Sequence, residues 1–142
     1  MTLYKSNIQH IGASPELVFQ TLSDLRNLER SRHLIPENAI QDVEFEENRC
    51  LINLPTIGRI DLFIQEKIPS SSIRFNSESS PIDFHLMIHL QPLEGGKFTQ
   101  LQVEVHADIP QMVKLMFNAK IQQFVNQFAE ALASIHYSPL IS

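Results

Sequence analysis

The cleanest alternation in the chain runs over Ile82–Gln91, with Ile82, Phe84, Leu86, Ile88 and Leu90 on one parity and Asp83, His85, Met87, His89 and Gln91 on the other. Successive side chains of a strand point to opposite faces, so this segment reads as a strand with one face buried and the other in water. Leu101, Val103 and Val105 repeat the pattern against Gln100, Gln102, Glu104 and His106. The same period of two runs from Ile40 to Ala107. Turn-forming clusters interrupt it at Glu46-Glu47-Asn48-Arg49, Pro55-Thr56-Ile57-Gly58, Pro69-Ser70-Ser71-Ser72, Ser77-Glu78-Ser79-Ser80-Pro81 and Leu93-Glu94-Gly95-Gly96. Six consecutive strands joined by short turns make an antiparallel meander.

The segment after the meander changes period. Val113, Phe117, Ile121, Phe124, Phe128, Leu132 and Ile135 recur every three or four residues, with Asn118, Gln122, Asn126 and Glu130 opposite. This predicts one helix from about Pro110 to His136, with Asp108 as its cap and Pro110 in its first turn. It is roughly 40 Å long at 1.5 Å per residue, and its stripe must lie along something apolar. The inward face of the meander is the only large apolar surface on offer.

Residues 2–11 read as a first strand, with Tyr4, Ser6 and Ile8 on one parity. A helix start follows: Ser14 is placed as N-cap, Pro15 at the first helical position and Glu16 where it complements the dipole, ahead of Leu17, Val18, Leu22 and Leu25. The pattern fades through Asn27–His33 into a second short helix or a turn, which Pro36 stops.

A chain of 142 residues that is 43% hydrophobic and 19% charged is predicted to form one domain over 1–142. At this size folding buries about 70% of the unfolded chain's surface, enough for a core without metal or disulfide support. The net charge of −5, from 11 basic and 16 acidic side chains, the basic ones scattered apart from Arg26, Arg30 and Arg32, argues against nucleic acid as a partner. Cys50 is the single cysteine and can form no internal disulfide. The first ten residues hold no apolar signal core and no stretch is long enough to span a membrane, so a cytoplasmic location is expected.

Ile11-Gly12-Ala13-Ser14-Pro15-Glu16-Leu17-Val18-Phe19, then Leu22-Ser23-Asp24-Leu25-Arg26-Asn27-Leu28-Glu29, resembles the entry into the first helix of the Bet v 1-like superfamily. That superfamily includes START lipid-transfer domains and polyketide cyclases and is also called SRPBCC. Gly58-Arg59-Ile60 through Glu66-Lys67-Ile68-Pro69 with Ile73-Arg74-Phe75 is similar to its central hairpin, and Gly95-Gly96-x-x-Thr99-x-Leu101 also fits. The resemblance covers almost the whole chain and rests on scaffold positions. It implies an α+β helix-grip fold, in which a curved seven-stranded antiparallel sheet wraps a long C-terminal helix, with two short helices after the first strand. It also implies an apolar cavity between sheet and helix, lined by Phe84, Leu86, Ile88, Leu101 and Val103 from strands and by Leu115, Met116, Phe117, Ile121 and Phe124 from the helix.

Glu66 follows Ile60, Leu62 and Ile64 on the inward parity. A carboxylate facing an apolar cavity would have a raised pKa and could serve as acid, base or ligand anchor. A bulge or a place at the sheet's rim would instead turn it to solvent or to a basic neighbour. If Leu93–Gly96 form the loop, Gln91 pairs with Phe98, which sets His85 beside Glu104 and Asp83 beside His106. Exposed cross-strand ion pairs explain such a patch better than zinc, which wants tetrahedral closure. Cys50 lies in a strand without a neighbouring histidine, and no Gly-x-Ser-x-Gly elbow, dinucleotide fingerprint or Walker loop occurs. No catalytic residue, metal or cofactor is therefore assigned.

The function these features favour is noncatalytic binding or transport of a small hydrophobic molecule, lipid-like or aromatic. A cyclase or aromatase needs placed acids and bases, of which Glu66, with Arg59 or Tyr4, is the sole candidate. A protein-interaction module of cochaperone type would use an outer surface. Phe63 and Phe98, on outward parity, are candidates for that surface or for a homodimer contact.

Overall fold

The computed structural model describes residues 2–34, 42–54, 58–78 and 83–137. The strands are β1 (Thr2–Lys5), β2 (Gln9–Ile11), β3 (Asp42–Phe45), β4 (Arg49–Leu54), β5 (Gly58–Ile68), β6 (Ser72–Glu78), β7 (Asp83–Leu93) and β8 (Phe98–Asp108). Helix α1 (Pro15–Leu22) and a 3-10 segment (Leu25–Leu34) fall between β2 and β3, and α2 (Gln111–Ala133) follows β8. All eight strands form one antiparallel sheet in the order β1-β8-β7-β6-β5-β4-β3, with β2 also on β8. The helix-grip architecture is thus present, and the predicted seven strands become eight because the first is split. Among the described residues no helix is long and apolar enough to cross a membrane.

The split has a local cause. Lys5 faces Glu104 while Gln9 faces Leu101, so the N-terminal edge gains one residue over the β8 ladder. Ser6, buried at the break, replaces part of the ladder: its N–H donates to the Val103 carbonyl (2.8 Å) and its Oγ accepts from the Val103 N–H (2.9 Å). A bulge of this kind reverses parity. Ile8, expected to share the parity of Tyr4 and Ser6, is exposed, and Ile11 enters the core instead.

Helix α1 starts as predicted. Ser14 Oγ accepts from the Leu17 N–H (3.3 Å), Pro15 opens the helix, and Val18 and Leu22 are wholly buried. Thr99 Oγ1 donates to the Ala13 carbonyl (2.7 Å), pinning the helix entry to β8.

The end of β8 and the start of α2 differ from expectation. Asp108 is the last residue of β8, and Pro110, extended at ψ 145°, stands outside the helix with no side chain capping it. The helix is 23 residues long, about 34 Å. It ends on Ser134, short of His136, and the Tyr137 hydroxyl folds back to donate to the Leu132 carbonyl (2.7 Å).

Helix α2 sits off-centre. Ile121, Val125, Ala129 and Leu132 are its buried residues, and it packs on β8, β1 and β2 rather than on the middle of the sheet. Asn118, Gln122 and Asn126, expected to face water opposite the stripe, fasten it to that edge. Tyr4 Oη donates to Asn118 Oδ1 (2.7 Å), Gln122 Nε2 to the Lys5 carbonyl (2.7 Å) and the Asn7 N–H to Asn126 Oδ1 (3.0 Å). The apolar stripe therefore serves two faces. One is seated on the sheet edge, and the other, with Phe117, Phe124 and Phe128 half-buried, overhangs the strands beyond.

Candidate functional site

Seating α2 over one edge leaves the concave face of β3–β7 without helix cover at one end. The 3-10 segment closes that end, fixed by the Leu25 N–H donating to the Glu47 carbonyl (3.0 Å). Between these layers lies an apolar cavity of about 50 Å³. Leu22, Leu25 and Leu28 form one wall, and Val43, Phe45, Cys50 and Ile52 of β3 and β4 another. Leu62, Phe75, Leu86 and Ile88 make the floor, and Phe124, Phe128, Ala131, Leu132 and Ile135 overhang it. The Phe124 and Phe128 rings lie parallel, with centroids 6.0 Å apart. Among the described residues, Ser31 and the Cys50 thiol supply the polar side-chain atoms of the lining, and no charged residue belongs to it. At about 10–15 Å³ per water-sized group, the space holds three to five of them.

The structure brings three of the residues implied by the resemblance, Leu86, Ile88 and Phe124, into this lining. Phe84, Leu101, Val103 and Ile121 are solid core outside it, the last three lying in the seam where α2 meets the β8 edge. Phe117 is half-buried two turns before Phe124, outside the cavity lining. Leu115 and Met116 are 77% and 70% exposed on the outer side of α2, away from the sheet. Reading the helix as facing the sheet squarely hides its two-faced seating and places them inward.

Glu66 is not brought to the cavity. Ile64 faces Phe75 but Glu66 faces Arg74, so Gln65 is the extra residue of a bulge that turns Glu66 outward into solvent. Cys50, Ile52, Val43, Leu25 and Leu28 line the cavity although sequence reasoning singled out none of them as ligand contacts. The alternation of Val43 with Phe45 and of Cys50 with Ile52 marked them as strand residues. Nothing local tells which end of the groove the helix leaves open.

The outer face holds the histidines in a register different from the expected one. Leu93 faces Phe98 and Gln91 faces Gln100, because the turn is made by Glu94, Gly95 and Gly96, all at positive φ, with Lys97. His85 therefore stands across from His106, and Asp83 across from Asp108. Glu104 accepts from His89 Nε2 (2.9 Å) and from His106 Nε2 (2.8 Å). Partial burial pushes the Glu104 carboxyl up, but the hydrogen bonds from His106 and His89, with the charge on those rings, pull harder and hold it below the ordinary glutamate value. Among the described residues no group of three or more His, Cys, Asp or Glu is placed to hold a metal ion.

At the closed end of the cavity a polar collar faces water. Arg26 pairs with Asp24 (2.6 Å) and reaches Glu47 (3.4 Å). The Arg26 hydrogen bond holds the Asp24 carboxyl below its usual range against a smaller effect of burial. Phe63 is half-buried and Phe98 exposed on the outer side.

No protein-family model matches this sequence, and no curated protein does. Solved structures match over nearly the whole chain. A START superfamily protein from Mycobacterium smegmatis aligns with a TM-score of 0.61 at 15% identity, over 92% of this chain and 94% of that one. A protein from Thermus thermophilus aligns at 0.67 and 16%, over 93% and 94%. Truncated norcoclaurine synthase from Thalictrum flavum aligns at 0.70 and 10%, over 93% and 91%. At these identities the likeness concerns the fold. The chain has a helix-grip fold, and its likeness to these structures, a START superfamily protein among them, is one of fold.

Proposed function

We propose that this protein is a noncatalytic binder or carrier of a small hydrophobic molecule, lipid-like or aromatic, held between the sheet and the C-terminal helix. The observation that carries this reading is an apolar cavity whose lining, among the described residues, holds no acid, no base and no charged group. Such a lining repels a polar reactant and offers a reaction nothing to transfer protons with, while burial of apolar ligand surface contributes roughly 25 cal/mol per Å². One fold neighbour, norcoclaurine synthase, is named as an enzyme, but fold alone does not carry activity across such distance. The small cavity means that a whole ligand enters by displacing the 3-10 segment or the overhanging phenylalanines.

Binding of a fluorescent apolar probe, N-phenyl-1-naphthylamine, tests the reading against Leu28→Phe, which fills the cavity from its 3-10 wall. The expected outcome is a bright wild-type complex and at least tenfold weaker binding in the variant, with the fold retained by circular dichroism. A wild-type protein that leaves the probe dark, or equal binding by both proteins, overturns it. A second reading, a protein-interaction module, is favoured by one observation: Met112, Leu115 and Met116 are 79%, 77% and 70% exposed on one face of α2. A dark probe together with loss of self-association or partner binding on Met116→Gln would favour that reading.

A further inference from the structure

The overhanging face of α2 extends past the cavity. Phe124, Phe128 and Ile135 roof it, and Phe117 continues the same line two turns before Phe124, half-buried and outside the lining. Lys120 stands between them, one turn from Phe124 at i, i+4 spacing. Its Nζ lies 5.8 Å from the centroid of the Phe117 ring, so the ammonium arches over the apolar line rather than away from it. Lys120 is exposed and makes no ion pair among the described residues, and the first acidic residue of the helix is Glu130. Lys120 therefore marks one end of a track whose other end is a chamber with no charged group among the described residues of its lining.

We infer that Lys120 is the headgroup subsite of an elongated binding groove, and that its ligand is an anionic amphiphile, an alkyl chain ending in a carboxylate. This rests on the reading of the cavity as a ligand site. Eight residues separate Lys120 from Phe128, about 12 Å along the helix axis, which a medium-length alkyl chain spans. The tail displaces the few water-sized groups the cavity can hold, where Ser31 and the Cys50 thiol are the polar side chains among the described lining residues. The carboxylate stays at the solvent edge, where its desolvation is slight and the ammonium faces it.

The test is calorimetric titration at low salt and neutral pH with two chain-matched probes, octanoate and 1-octanol, into wild type, Lys120→Gln and a control, Lys97→Gln. Lys97 lies at the far end of β8, in the turn after β7. Wild type and the control are expected to bind octanoate about fivefold tighter than octanol, the scale of an exposed ion pair. In Lys120→Gln that preference disappears through octanoate alone, with octanol unchanged. A wild type without the preference, a variant that keeps it, or one that loses both probes equally overturns the headgroup assignment while leaving the cavity as a binding site. If neither probe binds wild type, both readings fall.

Discussion

Glu104 shows how much of a residue's behaviour lies in its neighbours. It is held by two imidazoles at 2.8 and 2.9 Å, and Lys5 stands across from it on β1. Because its native pKa lies below the value in the unfolded chain, about 4.3, the unfolded state takes up a proton first as pH falls. The stability it contributes is therefore complete above that value and is lost as pH drops through the native pKa. Glu104→Gln is expected to destabilise the protein by about 1 kcal/mol at pH 6 to 7, read as a shift of the urea midpoint at constant slope, and the gap to wild type should narrow as pH falls through the lowered native pKa. The alternation showed Glu104 and these histidines to be on the outer face. Their partners depended on a turn, and the left-handed Glu94, Gly95 and Gly96 move the whole hairpin register away from the simplest loop. At Glu66 a single extra residue, Gln65, reverses which side chains point inward.

At the scale of elements, what the sequence makes plain is periodicity, and what it conceals is orientation. The β7 and β8 faces, the α1 start and the length of α2 to within a few residues follow from patterns of two and 3.6. The helix start does not, since Asp108 was needed by the β8 ladder and Pro110 is extended. The seat of α2 also escapes a reading by stripe alone. Its line of closest approach is Ile121, Val125, Ala129 and Leu132, which includes the wholly buried Ala129 where the expected stripe had no member. A small residue there lets the helix approach the sheet edge closely. Ala129→Leu is expected to destabilise by roughly 1 to 3 kcal/mol through overpacking, seen as a drop in thermal midpoint, and to tilt α2 so that probe binding changes as well. An unaltered midpoint would mean that the seam is looser than the full burial of Val125 and Ala129 implies.

For the whole molecule, the decisive quantity is the space left between layers. Phe128→Ala removes a half-buried ring from the roof and should lower stability by about 2 kcal/mol, less than a fully buried Phe loses, while enlarging the cavity. The enlarged protein is expected to accept bulkier apolar probes, and a saturating one should raise its thermal midpoint more than that of wild type, since binding to the folded state alone stabilises by mass action. Probe-independent midpoints in the variant would argue for a roof that collapses. By itself the sequence determined that a six-stranded meander has one apolar face and that a long C-terminal helix must cover it, because the spacing of apolar side chains is written locally into strand and helix periods. It could not determine where on that face the helix rests. The bulge at Ser6, the hydrogen bonds of Asn118, Gln122 and Asn126, and the fit of Ala129 against the sheet edge set that position together. Only their combined geometry decides that the core is solid under β8 and hollow beneath Phe124 and Phe128.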